Sequence, residues 1–220
     1  MSAGKKVAAK RTSVELNAGC VPDAARPHTQ LVLVGDPLGT IGTRVMYGCL
    51  RPSFRGHVNS AAAFAEKKVR VAAPPGTPPW TLTAARAEVL LPPGADDRLA
   101  EPRVLMEEVD ASHSHHGKSL LAYLTFTFPC GRLHHQWQLV RTFVQRSLVE
   151  LFEVGVLLVQ HAPGRAGFPT DPHVHVLVAG PRRLTPLGFG EWLPPLMNDK
   201  AHSLVGDAFR EFQARWPQQP

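Results

Sequence analysis

Three histidines hold the most concentrated chemistry in this chain: His161, and the pair His173 and His175 in the run Asp171-Pro172-His173-Val174-His175-Val176-Leu177-Val178. Successive side chains of a strand point to opposite faces, so His173 and His175 share one face, with Cα atoms roughly 6.5–7 Å apart. Val174, Val176 and Val178 then fill the other face, as a strand against a core requires. Pro172 falls at the strand start, where a proline is tolerated. If the run Val154 to His161 pairs antiparallel with this strand, His161 comes opposite or nearly opposite His173. Cross-strand neighbours have Cβ atoms about 4.5–5.5 Å apart, close enough for three imidazoles to share one divalent ion.

Those histidines need a scaffold of strands and helices. The Gly- and Pro-containing stretch from Ala162 to Thr170 reads as the loop that lets the two strands pair. Thr43 to Leu50, Ala87 to Leu91 and Leu120 to Phe128 read as further strands, and Gln30 to Val34 as a short one. Ala61 to Lys68 favours a helix capped by Asn59 or Ser60. Arg103 to His113 is a second predicted helix. Leu133, Trp137, Val140, Val144, Leu148 and Leu151 recur at helical spacing, and Ser203 to Trp216 closes the chain as a helix. Gly188-Phe189-Gly190 marks a turn. The expected class is α+β, a mainly antiparallel sheet of about five strands with helices packed on it.

At 220 residues the chain can bury a sizeable core. Residues 1–42 read as a basic, proline-interrupted and partly disordered extension opened by Lys5, Lys6, Lys10 and Arg11, 43–216 as the folded domain and 217–220 as a tail. No apolar run is long enough to span a bilayer, and the N-terminus lacks an apolar signal core, so neither a membrane nor secretion is expected. Cys20, Cys49 and Cys130 are odd in number and show no metal or disulfide spacing, which suits a cytoplasmic protein. A net charge of +6 permits a polyanionic partner without naming one. His113, His115 and His116 read as a solvated helix end rather than a second metal cluster.

Several strings together resemble the MobA/MobL relaxases, plasmid-mobilisation nickases of the HUH endonuclease group. His173-Val174-His175 matches their hallmark His-hydrophobic-His, and Val159-Gln160-His161 their upstream strand ending in His. Ala87 to Pro92, Phe126 to Pro129, Leu139 to Val144, Leu187 to Gly190 and Met46 to Ala63 match further family segments. The resemblance spans about residues 43–216 and implies the HUH-type relaxase fold. It also implies binding of single-stranded DNA at a transfer origin, other mobilisation proteins as partners, and a metal, Mg²⁺ or Mn²⁺, held by His161, His173 and His175. Three imidazoles are softer ligands than Mg²⁺ prefers, which also admits Zn²⁺. In these enzymes a tyrosine hydroxyl attacks the scissile phosphodiester, giving a 5′-phosphotyrosyl enzyme and a free 3′-OH.

The position matching that nucleophile is Phe64, and a phenyl ring cannot carry the attack. Tyr47 and Tyr123 both read as structural, and Tyr47 or His57 as a relocated nucleophile is the reading left open beside that. From the residues alone, two other readings stay open: a structural or partner-binding module in which the histidines only pack and hydrogen-bond, and a metal-dependent hydrolase.

Overall fold

The structure is a computed structural model that describes residues 13–113 and 119–216. It is α+β, as expected, and built on one seven-stranded antiparallel sheet. Its five long strands are β3 (Arg44–Leu50), β6 (Arg86–Leu90), β7 (Leu121–Thr127), β8 (Val156–His161) and β9 (His173–Ala179). Two short strands, β1 (Val14–Glu15) and β2 (Val34–Gly35), extend one edge, giving the order β1-β2-β3-β7-β9-β8-β6. The hairpins β4 (Ser53–Phe54) with β5 (His57–Val58), and β10 (Arg182–Thr185) with β11 (Gly188–Trp192), stand outside it.

Helices cover both faces. One face carries α1 (Ala61–Val69) and α2 (Pro102–Ala111), which pack with Leu157, Leu177, Leu121 and Tyr123. The other carries α3 (Leu133–Val144), joined through a π turn at Gln145–Val149 to the short α4 (Glu150–Phe152), and the C-terminal α5 (Ala201–Arg215). There Phe126, Phe143 and Phe209 pack with Val174, Val176 and Val178. The stripe read from Leu133 to Leu151 therefore spans α3 and its continuation, and the predicted helix boundaries hold to within two residues.

Two readings are corrected. Gly188 and Gly190 lie within β11 rather than at a turn, because the hairpin reverses at Pro186-Leu187 and Gly188, at φ +103°, opens the return strand. Residues 13–42 are packed rather than trailing: Leu31 and Leu33 are buried, and Asn17 links the carbonyls of His28 and Leu31. The sequence carries the matching accommodation at Gly48, where any Cβ would overlap the Val32 carbonyl oxygen. Asp36 anchors the same segment by accepting from the Val45 amide and pairing with Arg210 of α5. The basic cluster Lys5 to Arg11, the tail 217–220, and His115 and His116 lie outside the described residues. His113 is described, with its ring edge-on to Trp192.

The helix that borders the site is tied down at its start. Ser60 caps α1 by accepting from the Ala63 amide, and Asp110 of α2 accepts from the amides of Ala61 and Ala62 and from the Ser60 hydroxyl. Three amides that a helix start would leave unpaired thus find partners, and one of the caps comes from the neighbouring helix.

Candidate metal centre and its cleft

His161 ends β8 directly opposite His173 of β9, and His175 lies one alternation further along the same face. The three rings meet edge to face, with centroids 4.4–5.0 Å apart. One nitrogen of each is tied away from the centre. His161 Nε2 faces the Lys68 carbonyl in the last turn of α1 at 2.7 Å, and His173 Nδ1 faces the Asp171 carbonyl at 2.9 Å. A carbonyl only accepts, so each of these ring nitrogens carries the proton. His175 Nδ1 lies 2.8 Å from the Tyr123 hydroxyl and 3.0 Å from that of Thr125.

The remaining nitrogens converge. His161 Nδ1 is 3.2 Å from both His173 Nε2 and His175 Nε2, and the three ligand atoms lie within 4.8 Å of one another. With the outer nitrogens of His161 and His173 protonated, lone pairs face lone pairs, an arrangement that a cation relieves. Burial pushes His161 down to about 4 and lowers His173 and His175 as well, which favours neutral rings over imidazolium at neutral pH. His161 Nδ1 thus stands at the middle of the three, at a spacing from each of the other two that imidazoles sharing one ion can adopt. Outer partners of this kind fix ring orientation and tautomer in metal sites. The donor set therefore fits a divalent ion.

An open cleft of about 670 Å³ lies over the centre. Arg44, Lys67, Lys68 and Arg70 line it, against the single carboxylate residue Asp171. Lys68 is buried, its ammonium 5.3 Å from the centre of the Phe64 ring and 5.0 Å from that of Tyr123. A second cleft, with Arg165 and the exposed Phe168, adjoins it, and His161, Val71 and Ala72 line both. Ala72 adopts a left-handed backbone at φ +49°, an unusual conformation for a residue with a Cβ, and it does so on the ridge between the two clefts.

The three residues considered for nucleophilic attack lie elsewhere. Phe64 is 1% exposed, its ring edge-on to Tyr123 at 5.1 Å, and does not line the cleft. Tyr123 stands between it and His175. Tyr47 is a core residue. It points to the opposite face of the sheet among the α3 and α5 side chains, and its hydroxyl donates to the Leu196 carbonyl at 2.7 Å. Burial raises its pKa well above the ordinary value, the reverse of activation. His57 sits in the separate β4–β5 hairpin and is not among the cleft residues. Sequence reasoning missed Lys68, Arg44 and the contact from Tyr123 to His175. The first had a signal, since Lys68 follows Phe64 by four residues and so shares its helix face.

Neither a protein-family model nor a curated protein matches the sequence. Among solved structures, a chain from work on the molecular basis of vancomycin resistance transfer in Staphylococcus aureus is similar to this one. The two share a TM-score of 0.54 at 18% identity, over 70% of this chain and 83% of the other. At that identity the likeness is one of fold.

Proposed function

We propose that this chain is a relaxase-like protein of plasmid mobilisation that binds single-stranded DNA in the histidine cleft, and that it does not nick by tyrosine attack. The observation that carries the reading is the convergence of one ring nitrogen from each of three histidines on the floor of a cationic cleft. A fold shared with a chain from a resistance-transfer study supports it. His161, His173 and His175 would hold one divalent cation, Mn²⁺ in preference to Mg²⁺ because all three donors are nitrogen, with Zn²⁺ also matched to the set. When bound, that cation supplies positive charge against a phosphodiester oxygen. Tyr123 and Thr125 orient His175, the α1 carbonyl orients His161, and Lys68 adds a buried positive charge beside them.

Loss of nicking follows from where the hydroxyls are. Phe64 has none, the Tyr47 hydroxyl is across the sheet, and that of Tyr123 is engaged with the outward nitrogen of His175 in a residue 2% exposed. The test incubates the protein with Mn²⁺ and a labelled pool of random-sequence single-stranded DNA. Metal-dependent binding without a detergent-stable covalent adduct is expected, for the natural chain and for Phe64→Tyr alike. An adduct from the natural chain would overturn the absence of nicking. Failure to bind single strands with Mn²⁺ present would overturn the reading as a whole.

A further inference from the structure

Four side chains lie in one row across the sheet. Arg44 pairs directly with Thr127, Thr127 with His173, and His173 with His161, and residues directly opposite in antiparallel strands project to the same face. Strands lie about 4.8 Å apart, so the Arg44 Cα stands roughly 10 Å from that of His173, a gap the long arginine side chain largely spans. The next row runs Met46, Thr125, His175. Arg44 Nη2 rests 3.0 Å from the Met46 sulfur, which sets the guanidinium beside that second row.

The state of this guanidinium differs from that of the arginines held in ion pairs. Arg51, Arg70, Arg98, Arg103, Arg141, Arg183 and Arg210 each reach a carboxylate. Among the described residues Arg44 reaches none; it spends one donor on a thioether, a weak acceptor, and its Nε is shielded without a partner. A planar cation with unused donors, held on the wall of a cleft, suits a phosphate that can take two hydrogen bonds at once.

We infer that Arg44 holds the backbone phosphate next to the one at the three histidines, and so sets which phosphodiester of a bound strand comes to the metal centre. The inference rests on the single-strand reading above. It is tested on the Mn²⁺-loaded full chain by anisotropy titrations with labelled oligothymidylate over a salt series. Each phosphate contact to a single strand contributes about 0.7 to the slope of log affinity against log salt. Arg44→Gln, and Arg44→Met as a second neutral variant that keeps the buried stem, should each lower the slope by about that amount and weaken binding about 5- to 10-fold at low salt. Arg44→Lys should restore the slope with only part of the affinity, Mn²⁺ affinity by calorimetry should be the same in all, and Arg103→Gln on α2 should match the natural chain. An unchanged slope in a neutral variant that still binds DNA would overturn the inference and leave the DNA reading intact. So would collapse of both neutral variants, which would make Arg44 a structural residue. A natural chain that binds no oligothymidylate would instead overturn the DNA reading, and this inference with it.

Discussion

The two faces of β9 share one backbone and have opposite contents. Val174, Val176 and Val178 enter a layer of aliphatic and aromatic side chains in which Phe126, Phe143 and Phe209 contact one another at 4.4–6.0 Å. On the reverse, Leu177 and Ala179 are just as buried under α1 and α2, and only His173 and His175, at the end where α1 finishes, turn polar. The difference shows what positions the site. It opens where the helical layer stops, and at that point the last carbonyls of α1 are free to accept an imidazole proton. Both faces bury a core, and one of them also spends a few positions of the same strands on chemistry.

That contrast predicts the largest effect on the aliphatic side. Phe143→Ala should cost about 3–5 kcal/mol through the cavity it leaves, with Mn²⁺ affinity unchanged in whatever fraction remains folded. Urea denaturation followed by circular dichroism measures it, and a cost under about 1 kcal/mol would mean that this layer is not what holds the sheet. On the other face His175→Ala should reverse the pattern. Metal-free stability should change by no more than about 1–2 kcal/mol, mainly from leaving the Tyr123 hydroxyl without its partner, while the rise in Tm on adding Mn²⁺ disappears. Persistence of that rise would place the metal elsewhere.

Tyr123→Phe separates the histidines from what holds them. Removing the hydroxyl leaves all three ligands but frees the outer nitrogen of His175 to turn, with Thr125 as its remaining partner. Mn²⁺ affinity should fall about 10- to 100-fold, the usual cost of losing a group that orients a metal ligand. Calorimetry giving the natural affinity would show that Thr125 alone suffices.

How much of this could be read beforehand follows the range of the interactions. Strand alternation at Val174, Val176 and Val178 and the loop between His161 and His173 are local, and they gave the histidine pairing in its observed register. The expectation of about five strands matched the five long ones. It missed β1, and of the short strand read over Gln30 to Val34 only Val34 is strand, because two-residue strands have no periodicity to detect and form only through pairing with a neighbour already in place. Gly48 records the packing of residues 31–32 over β3, but a glycine in a strand does not say which segment comes close. Tyr47 and Tyr123 could not be told apart as to site, because their faces depend on which strands lie beside them and which helices cover each side. Arg44 shows its role only once three strand registers are known together, since a lone arginine in a strand is as often an ion-pair partner on the surface.

The smallest effect separates acid sensitivity of the aliphatic face from that of the metal centre. His202 of α5 is buried on the valine side, with Nε2 directed to the Val45 carbonyl at 3.2 Å and Nδ1 shielded without a partner. Desolvation lowers its pKa from the ordinary 6.5 despite that carbonyl and the nearby Asp36 and Asp207. The unfolded chain therefore takes up this proton before the folded one does. The contribution is fully present above about pH 6.5 and is lost as pH falls towards the lowered value. His202→Gln keeps an amide to donate to Val45 and removes the titration, so the drop in Tm between neutral pH and about pH 5 should shrink by on the order of a degree or two. The measurement belongs in the metal-free protein beside His175→Ala. If only the latter narrows the drop, the acid sensitivity resides in the histidine centre alone, and the aliphatic face is as indifferent to pH as its valines suggest.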